Sequence, residues 1–354
     1  YENAQFLLFL CAVIKAVDDY QEMLRISVAS AANDHRLGAA EAPPAVMSIF
    51  VGDELMEILE AIECDKPYDN KETVQMKIGV HVLPKFPKDN TDRNRTSPFA
   101  FTGNKFEFRM AGSSQSVASP NTVINTAVSE VLSQFADILE NAENFEESLH
   151  DLIKKTIADH KRILFNGNGY DESWMIEAEK RGLANLKTTP DALGQMLSKK
   201  NLDLFSRHNV FSEKEMQARY EIELENYCKT VHIEALTMLD MANRDIFPAV
   251  SSFGAKIAEN AKLKSAFGSA AAEEDLLRKL CALTDSFYNN IGALKVAIDG
   301  SGKFTDSYEH ASYYRDVIIP AMEALRHDAD SLEEITSADF WPVPCYGNML
   351  YSVR

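Results

Sequence analysis

The sequence predicts an α+β fold in two regions. Three observations carry that prediction. Helical and strand periodicities mix up to about residue 165, near-continuous helical periodicity follows Asn166-Gly-Asn-Gly169, and a strictly alternating strand, Lys105–Met110, sits in the middle of the first region. With 354 residues and 45% hydrophobic residues, the chain is long enough for two domains and rich enough in apolar side chains for a true core.

In chain order, Glu2–Tyr20 reads as a helix. Its apolar run Phe6–Ile14 is too short to span a bilayer and lacks the basic flank of a signal peptide. Met23–Ser30 reads as a strand, and residues 33–44, rich in Gly, Ala and Pro, as a loop. Ala45–Glu63 carries helical apolar spacing in Ile49, Phe50, Leu55, Ile58, Leu59 and Ile62. Lys77–Pro84 alternates as a strand, Lys85–Ser97 is a loop, and the Lys105–Met110 strand follows.

Ser119-Pro120 marks a helix start, with Ser as cap and Pro in the first position; the helix is expected to reach about Ile163 with a break near Glu143. Ser212-Glu-Lys-Glu215 is a capping box that opens a long helix to Ile246, ahead of Phe247-Pro248. Helical pattern resumes over 251–264, 273–299 and 307–327, and the aromatic, Pro-rich tail from Phe340 is expected to dock. No internal repeat or low-complexity segment is evident.

A net charge of −18 and a pI near 4.9 tell against nucleic acid or an anionic membrane as partner. The five scattered cysteines, without CxxC spacing, fit a reducing, cytoplasmic setting. The chain opens at Tyr1 inside a predicted core helix, which reads as part of a longer protein.

Two stretches carry chemistry. On the Lys105–Met110 strand, Lys105, Glu107 and Arg109 share one face, while Phe106, Phe108 and Met110 share the other. Arg93 and Arg95 lie just upstream. Glu107 is a candidate Mg²⁺ or Mn²⁺ ligand, because a hard cation takes carboxylate oxygen. Arg95, Lys105 and Arg109 are candidates to neutralise phosphate oxygens. The plain alternative is a half-buried strand with a solvated polar face. One carboxylate does not hold a metal alone, so further ligands are expected from elsewhere. In the second stretch, residues 33–44, Arg36 offers a planar fork for a carboxylate or phosphate, and Glu41 is placed to accept a proton or close over a cationic group. A surface Arg–Glu pair is the alternative there.

Other signals are set aside. Gly300-Ser-Gly-Lys303 lacks the first glycine and the preceding strand of a phosphate loop. Gly167-Asn-Gly169 is a turn, and the eight histidines have no metal-type spacing and are read as surface or capping residues.

Together the two stretches resemble the catalytic core of glutamine synthetase, in its long type III form. Asn33, Arg36-Leu37 and Glu41-Ala42-Pro43 match the family's Asn…Arg-Leu…Glu-Ala-Pro loop. Asn94-Arg95-Thr96 matches its Asn-Arg-Ser/Thr segment, and Lys105, Glu107 and Arg109 its basic-x-Glu-x-Arg strand. The run from Arg93 through Arg109, the segment Asn201–Ser212 and Trp341-Pro-Val-Pro344 are similar to the type III form in particular.

The resemblance implies that residues 1–165 are the C-terminal half of the catalytic α/β barrel and 166–354 the helical type III extension. It implies ATP-dependent amidation of glutamate by ammonia through γ-glutamyl phosphate, with ATP and Mg²⁺ (or Mn²⁺) as cofactors. It also implies a cytoplasmic homo-oligomer of stacked rings, a dodecamer. Arg36, with Asn33, would hold glutamate. Glu41 would shield the acyl phosphate and take a proton from ammonium. Arg95 and Lys105 would contact ATP phosphates, Glu107 would ligate the metal, and Arg109 would stabilise the transferring phosphoryl group.

Shorter family members carry a further arginine where this chain has Ala100. The family's β-grasp domain, Glu-x-Glu metal motif and metal histidine precede these motifs, so the chain is expected to be a C-terminal portion, inactive by itself. Another enzyme of the same fold, such as a γ-glutamyl-polyamine ligase or guanidino kinase, and an assembly module without activity are the alternatives.

Overall fold

The computed structural model describes residues 2–39, 42–67, 96–344 and 346–351. The Lys77–Pro84 strand, most of the 85–97 loop, Glu41, Arg95 and Cys345 lie outside the described residues. The described residues are mostly helical, with one small three-stranded sheet. The chain divides into two compact units, Tyr1–Glu223 and Leu224–Arg354, so the change of texture near residue 165 falls inside the first unit.

In the first unit, α1 (Glu2–Asp19) is apolar nearly all round and buries Leu10, Ala12, Ile14, Ala16 and Val17, packing against α5 (Ala118–Glu140) and α6 (Phe145–His160). Met23–Ser30 is not a strand: α2 (Gln21–Ile26) occupies its first half, and a turn and irregular chain the rest. The reason is tertiary. Arg25, 1% exposed, donates to the Leu186 and Lys187 carbonyls and to Asp34, and those acceptors are reached from a helix. The 33–44 loop likewise begins as a short helix, α3 (Ala31–Arg36), capped by the Ser30 hydroxyl, which accepts from the Asn33 amide at 3.2 Å.

The Ala45–Glu63 helix is corrected too. Ile49–Phe50 forms strand β1, and only Asp53–Glu63 is helix (α4). Ile49 is fully buried, pairing in parallel with Phe99 on one side and bridging Leu164 on the other. The Asn166 side-chain oxygen accepts from both Val51 and Gly52 amides, and Gly52, at φ +82°, turns the chain into α4.

Strand β2 (Phe99–Phe101) lies between β1 and β3 (Phe106–Phe108), parallel to the first and antiparallel to the second. Gly103, at φ +96°, makes the hairpin turn. The α5 helix begins one residue before the expected Ser119 cap, with the Ser116 hydroxyl accepting from the Ala118 amide; the break before α6 is at Asn144, whose side chain caps Glu147. Further on are α7 (Glu172–Lys180), α8 (Thr189–Leu193) and α9 (Lys199–Arg207). Gly169 is not only a turn. A Cβ there would stand 2.5 Å from the Thr96 carbonyl oxygen, so close backbone approach requires glycine.

The Ser212–Glu215 capping box is present: Ser212 N and Oγ both donate to Glu215 Oε2 at 2.8 Å. It opens α10 (Glu213–Met241). Contrary to expectation, Pro248 does not end this helix. A wide π-turn, Ala242–Ile246, leads directly into α11 (Phe247–Ser265) with Pro248 in its first turn. The same device recurs, as α13 (Ser307–Tyr313) passes through a π-turn, Tyr314–Ile318, into α14 (Ile319–Ile335) ahead of Pro320. A proline that follows a π-turn sits where a first-turn amide has no helical acceptor, so its missing N–H and ring cost little.

The second unit packs α12 (Ala271–Gly300) against α11 and α14. Gly300 leaves room for the Tyr313 hydroxyl, which donates to the Ala297 carbonyl at 2.9 Å; the Gly300–Lys303 segment is a helix end. Of the tail, Phe340 docks against Phe253 at 5.5 Å between ring centroids. The last helix, α15 (Tyr346–Leu350), instead leaves Tyr346, Met349, Leu350 and Tyr351 exposed.

Candidate functional site

The hairpin puts its rings on one side and its charges on the other. Phe99 packs at a tilt against Phe106 and Phe108, and Phe101 against Phe106, at 5.2–5.9 Å between ring centroids, and Phe6 of α1 joins at Phe101. On the opposite face Arg109 donates to Glu107 Oε2 through Nη2 at 3.0 Å and Nε at 3.3 Å, while Lys105 Nζ lies 3.5 Å from Glu107 Oε1. The alternation read in the sequence is therefore realised. The side chains are graded in exposure: Lys105 66%, Glu107 38%, Arg109 14%. The Arg109 hydrogen bond, reinforced by both cationic charges, holds the Glu107 carboxyl below the usual carboxylate range, so it is ionised at neutral pH. Ala100, across the ladder from Glu107, is fully buried.

Helix α3 closes against the end of this strand. Arg36 Nη1 donates to the Met110 carbonyl at 3.0 Å and to Asn33 Oδ1 at 3.2 Å, and Nη2 to the Arg109 carbonyl at 3.4 Å. The structure thus brings together Asn33, Arg36, Lys105, Glu107 and Arg109. Asn33 is 2% exposed, and its amide nitrogen is used on the Val28 and Met110 carbonyls at 2.7 and 3.0 Å. Its position is that of a strut beneath Arg36. Glu41 and Arg95 fall outside the described residues.

Glu107 fits one ligand position of a hard divalent cation: it is ionised, half-exposed and on a rigid strand. Both its oxygens now face cations. Among the described residues the group with metal-ligand proximity is a different one, Asp18, Asp19 and His160. There Asp18 is already held by His160 Nδ1 at 2.8 Å and Arg162 Nε at 2.9 Å, a charge balance that ties α1 to the end of α6.

Sequence reasoning missed two buried pairs elsewhere in the first unit. His160 on Asp18 and His208 on Glu130 are interhelical partners of buried carboxylates, where surface or capping roles were expected. His spacing alone gives no signal of this, since the acids lie 142 and 78 residues away.

Residues 148–265 match the glutamine synthetase C-terminal domain. A glutamine synthetase of Butyrivibrio fibrisolvens is 42% identical over 100% of this chain and 51% of its own length. A type-3 glutamine synthetase of Dictyostelium discoideum is 39% identical over 99% of the chain and 49% of its own length. A glutamine synthetase of Bacteroides fragilis (strain YCH46) is 34% identical over 99% and 50%. The chain spans about half the length of these relatives.

Proposed function

We propose that the chain, which is similar to glutamine synthetases over its whole length, supplies one wall of the active site of a type III glutamate–ammonia ligase. In this reading residues 1–165 carry the C-terminal half of the catalytic α/β barrel and 166–354 the helical extension. The single observation that carries the reading is the charged face Lys105–Glu107–Arg109 with Arg36 at the end of the same strand.

The reaction has two steps. A glutamate γ-carboxylate oxygen attacks the γ-phosphorus of ATP, the bond to the bridging oxygen breaks, and ADP leaves with the acyl phosphate formed. Ammonia then attacks the γ-carbonyl carbon, phosphate leaves and glutamine results. Arg36 offers its guanidinium to the glutamate, and Asn33 supports it from below. Lys105, with Arg95, neutralises ATP phosphate oxygens. Arg109 gives up its bond to Glu107 in favour of the transferring phosphoryl oxygens, where fixed charge lowers the barrier most. Glu107 would hold one side of a divalent cation, Mg²⁺ or Mn²⁺, which when bound would screen the phosphate charge; its other ligands would come from outside this set. Glu41 takes the proton lost from ammonium.

The same reading places the protein in the cytoplasm as a homo-oligomer of stacked rings, a dodecamer. Scattered free thiols and the acidic charge support the setting, and the exposed Ile233, Leu236 and Val296 support association. Among the described residues no helix is long and apolar enough to cross a membrane. The test is Arg109→Ala in the intact synthetase: turnover should fall on the order of 10²-fold or more, and unchanged turnover removes Arg109 from the chemistry.

A further inference from the structure

Helix α3 has only six residues, too short to hold its own geometry. It carries Arg36 in its last turn, so whatever fixes α3 fixes Arg36. On the strand side the fixing group is Asn33, through the Val28 and Met110 carbonyls. On the other side it is Asp34. Asp34 Oδ1 accepts from Arg25 Nη2 at 2.8 Å and from Thr189 Oγ1 at 2.9 Å, and Oδ2 accepts from the Thr189 amide at 2.6 Å. Thr189 opens α8 and is 1% exposed.

The segment ahead of it is tied to the same place. Arg25 Nε donates to the Leu186 carbonyl at 2.8 Å, Arg25 Nη2 to the Lys187 carbonyl at 3.1 Å, and the Ala184 amide to Gln21 Oε1 at 2.8 Å. Residues 184–189 belong to the helical region, some 150 positions from α3 in sequence (Thr189 to Asp34 is 155). They form a clamp of part-buried bonds, charge-assisted at Arg25 and Asp34, whose acidic member lies two residues before Arg36.

We propose that Thr189, together with Arg25, is a positioning residue for Arg36: the 184–189 segment sets α3 against the end of β3 and thereby places the guanidinium that receives glutamate. The inference rests on the reading of Arg36 as the glutamate-binding arginine. It gives the helical region a part in substrate binding without contact to substrate.

The test uses the intact synthetase with three variants. Thr189→Val keeps the side-chain shape and the backbone N–H bond but removes the hydroxyl donor to Asp34. Thr189→Ser restores the donor. Arg25→Lys keeps a charge toward Asp34 but loses the fork to the two carbonyls. Thr189→Val and Arg25→Lys should each raise the KM for glutamate about tenfold, roughly the worth of one charge-assisted hydrogen bond, with the KM for ATP unchanged. Thr189→Ser should stay within about twofold of the parent, because the donor is kept.

A Thr189→Val or Arg25→Lys enzyme with parental glutamate KM overturns the proposal. So does one in which only thermal stability falls, or in which the KM values for glutamate and ATP rise together. Arg36→Ala separates the two levels. If it raises the glutamate KM while Thr189→Val does not, the positioning role fails and the reading of Arg36 stands. If Arg36→Ala leaves the glutamate KM unchanged, the reading of Arg36 fails and the proposal with it.

Discussion

The two units of the chain use charge in different ways. In the first, buried or part-buried acids join different elements: Asp18 to His160 and Arg162, Asp34 to Arg25 and the distant Thr189, Glu130 to Arg207 and His208. In the second, the pairs Lys229–Glu225, Arg244–Asp240, Lys279–Asp275 and Arg326–Asp330 all lie along single helices in water. Its buried acid, Asp328, takes the neutral Ser286 hydroxyl and Asn290 amide at 2.7 and 2.8 Å. Helix packing holds the second unit together, and local pairs decorate it. The first unit must also hold short, irregular pieces in place, and buried long-range charge does that at defined positions.

The largest effect expected lies where charge meets substrate. In the intact synthetase Glu107→Gln keeps the size of the side chain and removes its charge. The divalent-cation concentration for half-maximal activity should rise on the order of 10-fold to 100-fold. An unchanged cation requirement would separate Glu107 from the metal.

Next is a strut of the first unit. Burial works against the Glu130 charge, but Gln134, His208 and Arg207 together hold its carboxyl below the usual range. Glu130→Gln should cost about 1–2 kcal/mol at neutral pH, discounted because Arg207 is largely exposed. A folded-state value below the unfolded one stabilises above the unfolded pKa, about 4.5, and that contribution is lost as pH falls through the folded value. The gap between parent and variant in denaturant melts should therefore be full above pH 4.5 and close below it. A gap that is constant with pH contradicts the strut.

Gly169→Ala should destabilise by about 1–3 kcal/mol, because the added methyl meets the Thr96 carbonyl; a neutral result in the same melts would mean that the backbones part easily. The smallest effect belongs to the second unit. Lys279→Ala, which breaks an exposed pair with Asp275, should change stability by less than about 0.5 kcal/mol. A cost as large as that of Glu130→Gln would erase the contrast between the units.

What the sequence made legible follows the same division. Local signals were accurate: the Ser212 capping box, the α5–α6 break and the alternation of Lys105, Glu107 and Arg109 all rest on residues within one turn or one strand. Long-range partners were hidden. Residues 23–30 read as a strand because nothing nearby reveals that Arg25 seeks carbonyls at 186 and 187. Ile49 read as helical because the groups that make it a strand, Phe99, Leu164 and Asn166, come from far along the chain. Pro248 read as the stop of the helix before it because a π-turn leaves no mark in hydrophobic spacing. At the site, Arg36 and the strand face were legible from residue type, whereas the burial of Asn33 beneath Arg36 was a matter of packing.

The central claim is that the Lys105–Glu107–Arg109 face meets phosphate. The most direct measurement is a structure of the intact synthetase with a non-hydrolysable ATP analogue and Mn²⁺. The account predicts phosphate oxygens about 3 Å from the Arg109 guanidinium, a metal ion on a Glu107 oxygen, and the Arg109–Glu107 bond broken. A triphosphate bound elsewhere, with Lys105, Glu107 and Arg109 still paired to one another, would contradict it.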